Sequence, residues 1–319
     1  MSGCNNQSTV ITPTPDTGMD TDMGMDTGMD TDTPSIPATQ FPVVGDDETL
    51  FLGAGDIAQC NPEIAPEMSG QEKTAQLIET YPPDTPVFTL GDNVYPDGTL
   101  EEYENCYDLS WGRFKDRTYP VTGNHEYRTT DLAGYFSYFG ERAGDKTYYS
   151  FNLKNWHVIV LDSECPGGLL DGVCLEDDPQ MRWMRDDLDA SSNACTLALW
   201  HRPRISTGQH GVGIQLKFFY DLLVDKGVDL AVTGHDHHYE RFAPLNKSLE
   251  IDQENGIRQF VVGTGGSSLR DNNRDQAESE FESTEHHGII ELHLKVDSYA
   301  WRFIAVDGQV IDSGEGFCH

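Results

Sequence analysis

The sequence predicts an α/β fold in which short strands alternate with helices. Apolar runs of strand length recur along the chain, separated by segments whose apolar residues have helical spacing. Near the carboxyl end, "GIIELHLKV" (288–296) and "YAWRFIAV" (299–306) alternate apolar and polar residues, as an antiparallel hairpin does. The apolar fraction of 37%, with 14 Phe, 13 Tyr and 5 Trp, is sufficient for a buried core.

The folded domain is predicted to begin near Asp46, with a buried strand at "TLFLGAG" (49–55). The capping box from Ser69 to Glu72 predicts a helix that ends near Tyr81. The other predicted elements before the hairpin are strands at 86–91, 119–123, 156–162, 195–200, 228–234 and 258–266, and helices at 180–188 and before Gly227. No second boundary follows Asp46, so residues 46–319 are predicted to form one domain.

Residues 1–45 are predicted to form a disordered acidic linker. Residues 5–40 contain no Lys or Arg and include the near-repeats "TGMDTDMGMDTGMDTDTP", a composition that cannot bury a core. Weak calcium binding by the repeated Asp is the alternative to a solvated spacer. The residues Ser2-Gly3-Cys4 resemble the end of a bacterial lipoprotein signal, although the charged and apolar regions of such a signal do not precede them. We therefore expect export to the bacterial cell envelope or medium, with a lipid on Cys4 as a candidate membrane tether.

Acidic residues dominate the charge of the chain. The 54 Asp and Glu residues against 21 Lys and Arg give a formal net charge of −33. A protein that neutralises nucleic-acid phosphates should be basic, so nucleic-acid binding is not expected from the charge. Phosphate chemistry would need positive charge concentrated locally, because an acidic surface repels anionic substrates. No run of 18 apolar residues occurs, so no membrane-spanning helix is predicted.

Polar side chains follow five of the predicted strands at the point where each strand ends. The five tips are Gly55-Asp56, Gly91-Asp92-Asn93-Val94-Tyr95, Gly123-Asn124-His125-Glu126, His201-Arg202-Pro203 and Gly234-His235-Asp236-His237. Because ligands bind beyond the carboxyl ends of strands in α/β sheets, we expect these side chains to meet at one edge.

The tips supply seven oxygen or nitrogen donors: Asp56, Asp92, Tyr95, Asn124, His201, His235 and His237. Seven donors are too many for one tetrahedral zinc, but they suit two metals that share a bridging carboxylate. An isolated Gly-Asp is uninformative, and a lone His after a strand is usually structural. Five such tips in order predict a two-metal site.

The order GD, GDxxY, GNHE, H, GHxH resembles that of the calcineurin-like metallophosphoesterases over residues 49–240. Tyr95, three residues after Asp92, is similar to the tyrosine of the purple acid phosphatase branch. His210, nine residues after His201, resembles a histidine of the small tartrate-resistant type. The resemblance implies a four-layer sandwich of two mixed β-sheets flanked by helices. One departure is Ala58, where the family usually has glycine.

The resemblance also implies the ligand sets. Asp56, Asp92, Tyr95 and His237 would bind the first metal, and Asp92, Asn124, His201 and His235 the second. A phenolate with two carboxylates and one imidazole suits Fe(III). The second metal would be divalent Fe, Zn or Mn.

The implied activity is that of an exported phosphatase that hydrolyses phosphomonoesters by attack of a metal-bound hydroxide and releases inorganic phosphate. Asn124, His125 and His210 would contact the substrate, and His125 and His210 are the candidates for protonating the leaving group. Exposure in a loop without a role is the alternative for His210. Arg202 and Arg204 could attract phosphate or be solvated surface residues.

Two other functions stay open. A phosphodiesterase acting on nucleotides or phospholipids would use the same metal site. A tethered surface protein that only binds phosphate or a partner is the alternative without catalysis. A serine hydrolase is disfavoured because no G-x-S-x-G occurs.

Cysteines other than Cys4 are even in number, which suits an exported protein with disulfides. A short loop with three glycines predicts a Cys165–Cys174 bond within "CPGGLLDGVC", a segment to which the sequence assigns no function. Cys60 and Cys106 follow neighbouring metal-bearing strands and are predicted to pair, which leaves Cys195 with Cys318. No C-x-x-C occurs, so a cysteine zinc site is not expected.

Overall fold

The computed structural model describes residues 45, 48–60, 63, 65–167 and 172–319, all within one compact unit. Apart from Gly45, the predicted linker lies outside the described residues, as does Cys4, and both assignments stay predictions. In the part of the chain that is described, no helix is long and apolar enough to cross a membrane.

Strands and helices alternate through the first two thirds of the domain. The strands are β1 (Thr49–Ala54), β2 (Ala58–Gln59), β3 (Val87–Thr89), β4 (Val94–Tyr95), β5 (Thr118–Tyr119), β6 (Tyr149–Leu153), β7 (Trp156–Val160), β8 (Cys195–Leu199), β9 (Leu230–Thr233), β10 (Tyr239–Leu245), β11 (Ile257–Val262), β12 (Ser279–Ser283), β13 (Gly288–Leu294), β14 (Ser298–Ala305) and β15 (Val310–Phe317). The α-helices are α1 (Gly70–Glu79), α2 (Leu100–Glu102), α3 (Ala133–Phe139), α4 (Pro179–Ala190) and α5 (Lys217–Asp225).

The strands form two mixed sheets and one small pair. The first sheet has the order β15-β14-β13-β1-β3-β5, in which β1, β3 and β5 are parallel and β13 to β15 antiparallel. The second has the order β12-β10-β11-β9-β8-β7-β6, with β7, β8, β9 and β11 parallel. The short strands β2 and β4 pair with each other.

Apolar residues of both sheets meet in one buried core. The rings of Phe260 and Trp301 lie 5.3 Å apart between centroids, and Tyr239 stacks on Phe303 at 4.1 Å. The other face of the second sheet packs against α4 and α5 in a further apolar cluster. Helix α1 packs against the first sheet through residues such as Ile78. The predicted architecture of two mixed sheets flanked by helices is confirmed.

Capping and turn residues, together with the apolar pattern, predicted most helices and strands at their correct positions. Helix α1 begins after Ser69, whose side chain accepts a hydrogen bond from the Glu72 backbone at 3.3 Å, and Gly227 adopts a φ of +66° after α5. The strand predicted at 119–123 is too long, because β5 ends at Tyr119 and Pro120 has no N–H to donate. Strands such as β12 ("SEFES") were not predicted, because charged and hydroxyl residues interrupt their apolar pattern.

All three predicted disulfides are confirmed. The pairs are Cys60–Cys106, Cys165–Cys174 and Cys195–Cys318, with Cα separations of 5.6, 5.2 and 5.5 Å. These separations lie in the usual range for the bond.

Candidate metal centre

The five polar tips come together, but from two sheets rather than one. The tips with Asp56, Asp92 and Asn124 follow β1, β3 and β5 of the first sheet. The tips with His201 and His235 follow β8 and β9 of the second. The expectation of a single sheet edge was therefore wrong in this respect, since the centre lies where the edges of both sheets converge.

Four predicted ligands surround the first metal position. The Tyr95 hydroxyl lies 2.8 Å from Asp56 Oδ1, 3.1 Å from Asp92 Oδ2 and 3.2 Å from His237 Nε2. His237 Nε2 is also 3.2 Å from Asp56 Oδ1. All four residues are buried. They form a set of three oxygen-bearing groups and one imidazole around a common point.

The other predicted ligands surround a second position on the far side of Asp92. His201 Nε2 lies 3.3 Å from both Asp92 Oδ1 and Asn124 Oδ1, and 3.1 Å from His235 Nδ1. One ligand atom each of Asp92, His201 and His235 lie within 4.8 Å of one another. The two oxygens of Asp92 thus face different donor sets, which is the arrangement that a bridging carboxylate needs.

Three of these residues have strained backbone conformations. Asp56, Asp92 and His235 have φ values of 58°, 48° and 71°, in the left-handed region that residues other than glycine rarely adopt. Gly91 (φ 81°) precedes Asp92, and a Cβ on it would lie 2.7 Å from His201 Nδ1. The chain turns sharply after these strands, which directs the side chains into the centre. Strain of this kind concentrates at functional sites.

Backbone carbonyls set the orientation of two histidines. Leu90 O lies 2.7 Å from His201 Nδ1, and Ser268 O lies 2.8 Å from His237 Nδ1. A carbonyl oxygen only accepts, so Nδ1 of each ring carries the proton and donates. Nε2 therefore faces the centre with its lone pair when the imidazole is neutral, as metal ligation requires.

Burial and opposite charge act against each other within the centre. Burial raises the pKa of Asp92, but His201 outweighs it and holds that pKa well below its usual range. Burial lowers the pKa of His201, but Asp92 and then Asp56 outweigh it and raise the pKa to about 10. Burial and the same carboxylates raise the pKa of Tyr95 well above its ordinary value, so the phenol needs a nearby cation to ionise.

The donor sets fit two metal ions. Among the described residues, no Lys or Arg forms an ion pair with the buried carboxylates of Asp56 and Asp92, and the groups that pair with them are imidazoles. Buried carboxylates need compensating positive charge. The first position offers a hard, oxygen-rich donor set, and the second a more neutral one.

His125 lies beside the first position. Its backbone N–H donates to Asp92 Oδ1 at 2.8 Å, and its ring centroid is 4.3 Å from that of Tyr95. Ring atom Nδ1 donates to the Pro96 carbonyl at 2.5 Å, while Nε2 lies 3.8 Å from Asp92 Oδ2. Nε2 is therefore the nitrogen nearer to the centre.

His210 lies beside the second position and is oriented by Asp236. The His210 ring centroid lies 3.9 Å from that of His235, and Nδ1 lies 2.6 Å from Asp236 Oδ1. The His210 side chain is 41% exposed, whereas Asp236 is buried. Because the carboxylate accepts from Nδ1–H, Nε2 is the nitrogen left for a substrate.

Glu126 shapes the centre in a way that the sequence pattern did not reveal. Glu126 is fully buried and accepts the backbone N–H groups of Asp92 (3.0 Å), Asn93 (2.9 Å) and Gly123 (2.6 Å). It therefore fixes two of the polar tips relative to each other. The GNHE motif contains this glutamate, so its position was visible although its role was not.

His238 is buried and pairs with Glu240, at 3.0 Å between Nε2 and Oε2. Nε2 of His238 is therefore engaged by Glu240 rather than left for a metal or a substrate. Arg204 is buried and its guanidinium lies 6.0 Å from the ring centroid of Tyr220, so it is not a solvated surface residue.

Comparisons with known proteins identify several relatives of this chain. The calcineurin-like phosphoesterase family matches residues 49–239. Purple acid phosphatase 21 of Arabidopsis thaliana is 27% identical over 281 residues, which cover 80% of this chain and 58% of that protein. Tartrate-resistant acid phosphatase type 5 of Mus musculus is 23% identical, with 73% of this chain and 74% of that protein covered. The chain thus spans less than two thirds of the Arabidopsis relative.

The solved structure of purple acid phosphatase PPD1 from yellow lupin seeds has the same fold. It superposes with a TM-score of 0.64 and 20% identity, and the match covers 84% of this chain and 53% of that chain. At this identity the likeness concerns the fold alone.

Proposed function

The chain belongs to the calcineurin-like phosphoesterase family, and on that premise we propose that it is a phosphatase of the purple acid type. It would hydrolyse small phosphomonoesters and release inorganic phosphate. Two metals would occupy the centre, with Fe(III) beside Tyr95 and divalent Fe, Zn or Mn at the second position.

The position of Asp92 is the observation that supports this proposal most. Its Oδ2 faces the Tyr95 hydroxyl at 3.1 Å, and its Oδ1 faces His201 Nε2 at 3.3 Å. One carboxylate can therefore serve both donor sets. When bound, two metals supply Lewis acidity toward the phosphoryl oxygens and lower the pKa of a water for attack on phosphorus.

The residues around the ligands supply the other requirements of the reaction. Asn124 and His125 belong to the tip after β5, which adjoins Asp92, and would hold phosphate oxygens through their side chains. Asp236 holds Nδ1 of His210, so Nε2 of His210 would donate a proton to the departing alkoxide. His125 is the second candidate for that proton transfer.

Metal analysis combined with a hydrolysis assay tests the proposed activity. Protein from its native compartment should contain two metals and hydrolyse an aryl phosphate faster than a bis-aryl phosphate. A faster rate on the diester would favour the phosphodiesterase instead. Phosphate binding without hydrolysis of either compound would favour the non-catalytic surface protein.

We also propose that the protein is exported and that Cys4 carries a lipid. The three disulfides support export, because such bonds persist in oxidising compartments. Fractionation of cells labelled with a radioactive fatty acid tests both parts. Unlabelled protein with reduced cysteines in the cytosol would contradict them.

A further inference from the structure

Arg202 brings a guanidinium to the edge of the second metal position. Its Nη1 lies 2.9 Å from Nε2 of His235, the ring nitrogen opposite the Nδ1 that faces His201. The Arg202 side chain is about three quarters buried. A fixed positive charge therefore stands one imidazole ring away from the centre, in a chain whose net charge is −33.

The loop after β7 holds Arg202 in this place. Glu164 accepts from Arg202 Nε at 2.5 Å and from Nη2 at 3.4 Å, and Ser163 Oγ accepts the Arg202 backbone N–H at 3.0 Å. Glu164 directly precedes the Cys165–Cys174 disulfide. The cysteine loop without an assigned function thus begins directly after the residue that fixes the guanidinium.

A cavity of about 150 Å³ lies between Arg202 and His210, and His235 also lines it. A water molecule occupies about 30 Å³ in the liquid, so this space suits a small oxyanion. Arg202 and His210 thus line the same small space, as expected of groups that contact one substrate. Arg204, two residues further along, points elsewhere, toward the ring of Tyr220.

The hydrogen bond of Arg202 to His235 is incompatible with metal ligation by His235. A guanidinium donates and never accepts, so Nε2 of His235 must accept in this contact. A neutral histidine that ligates through Nδ1 carries its proton on Nε2 and cannot accept there. When His235 ligates a metal in this way, Nη1 of Arg202 needs another acceptor, while Glu164 still accepts from Nε of Arg202.

We propose that Arg202 binds a phosphate oxygen of the substrate and of the phosphate product, and that Glu164 positions its guanidinium for this contact. The inference rests on the proposed function. The expected ligand is a phosphomonoester dianion, whose oxygens match the guanidinium donors. Arg202 would supply the local positive charge that an anionic substrate requires beside an acidic surface.

Arg202→Gln tests the proposal, with Arg182→Gln as the matched control. Arg182 lies exposed on α4, so both variants change the net charge equally. Binding of inorganic phosphate to the metal-loaded proteins is measured by calorimetry, together with metal content, kcat and KM. We expect Arg202→Gln to weaken phosphate binding and raise KM by about 10- to 100-fold, the range for a lost hydrogen bond between charged groups. Metal content should be unchanged, and Arg182→Gln should behave as wild type.

Two conservative variants sharpen the result. Arg202→Lys should recover part of the affinity, because the charge remains but the planar fork is lost. Glu164→Gln should weaken phosphate binding by a smaller factor than Arg202→Gln, since the donor remains and only its support is loosened. Equal phosphate binding by Arg202→Gln and Arg182→Gln would overturn the proposal, as would loss of metal from Arg202→Gln.

Failure of this inference and failure of the proposed function have different signatures. Phosphate binding that depends on Arg202, in a protein that hydrolyses no phosphate ester, would support the inference and contradict the function. Ester hydrolysis together with phosphate binding that does not depend on Arg202 would support the proposed function and contradict the inference.

Discussion

The carboxylates of the metal centre and the carboxylate of Glu291 on β13 are both buried, but they are compensated in different ways. Glu291 accepts two hydrogen bonds from Arg302, at 2.6 and 2.9 Å, and one from His293 at 2.5 Å. Asp56 and Asp92 face imidazoles, and in the described residues neither has a Lys or Arg partner.

This difference separates a buried carboxylate that only stabilises the fold from buried carboxylates that serve a binding site. Arginine is permanently charged, so Arg302 completes the Glu291 cluster without any ligand. The positive charge that imidazoles offer is a proton, which a metal ion can displace because ligating histidines must be neutral. Two buried carboxylates that face several imidazoles and no Lys or Arg, as Asp56 and Asp92 do in the described residues, therefore indicate a place for a cation.

Asp92→Asn should have the largest effect, because it removes one of the two oxygens that face the two metal positions. We expect loss of bound metal and a fall in hydrolysis of more than about 100-fold, the upper cost of losing a group that only orients a ligand. Metal analysis and a hydrolysis assay measure this, with far-UV circular dichroism as the control for folding. Full metal content in the variant would contradict the view that Asp92 serves a metal site whereas Glu291 serves only the fold.

His210→Ala should act without displacing the metals. We expect turnover of esters with poor leaving groups to fall by about 10²- to 10⁴-fold, because Nε2 no longer protonates the alkoxide. The loss should shrink for aryl esters whose leaving groups need no proton. A uniform loss across leaving groups would assign the proton transfer to His125. His286→Ala, at a histidine bonded to Ser283, is the control.

Glu291→Gln should reduce stability and leave the activity of each folded molecule unchanged. Removing the charge leaves Arg302 and His293 without the negative charge that they share. We expect a loss of about 3 kcal/mol in the free energy of unfolding, measured by urea denaturation. Glu315→Gln, at an exposed position on β15, should cost less than about 0.5 kcal/mol. Loss of metal from Glu291→Gln would show that the two clusters are coupled.

The cost of Glu291→Gln should depend on pH in a defined way. Burial raises the pKa of Glu291, but His293 and Arg302 outweigh it and lower the pKa from 4.5 to about 2, so its stabilisation is lost as pH falls below 4.5. Burial lowers the pKa of His293, but Glu291 and Glu48 outweigh it and raise the pKa above 6.5. That contribution is complete below pH 6.5 and is lost as pH rises through the folded pKa. The difference from wild type should therefore be largest between pH 4.5 and 6.5.

Tyr95→Phe should have the smallest effect on folding, since the ring volume is kept and one hydroxyl is removed. We expect a stability change of about 1 kcal/mol or less in the free energy of unfolding. If Tyr95 ligates Fe(III), the oxidised wild type should absorb visible light, and the variant should lose that band together with its selectivity for iron. A colourless wild type with full metal content would contradict Fe(III) and leave Mn or Zn in both positions.

The sequence alone predicted the residues of the centre, because each follows an apolar run and the order of the tips is specific. Asp56, Asp92 and His235 are recognisable from the glycines before them and the strands that end there. The three disulfides were also predictable, one from a short loop and the others from neighbouring strand ends and the remaining pair. The polar tips and the disulfides are either local in sequence or depend on the order of the strands, and the pattern of apolar residues indicates that order.

Only the tertiary structure decided which partner each polar group has. Glu164 and Arg202 are 38 residues apart, and His210 and Asp236 are 26 apart, and no periodicity in the sequence relates them. The sequence also did not show that the five tips are divided between two sheets. The apolar pattern of a strand indicates that it is buried, but not which sheet it joins. Burial fixes these pairs, since a charge removed from water must find its partner among whatever side chains the packing brings near.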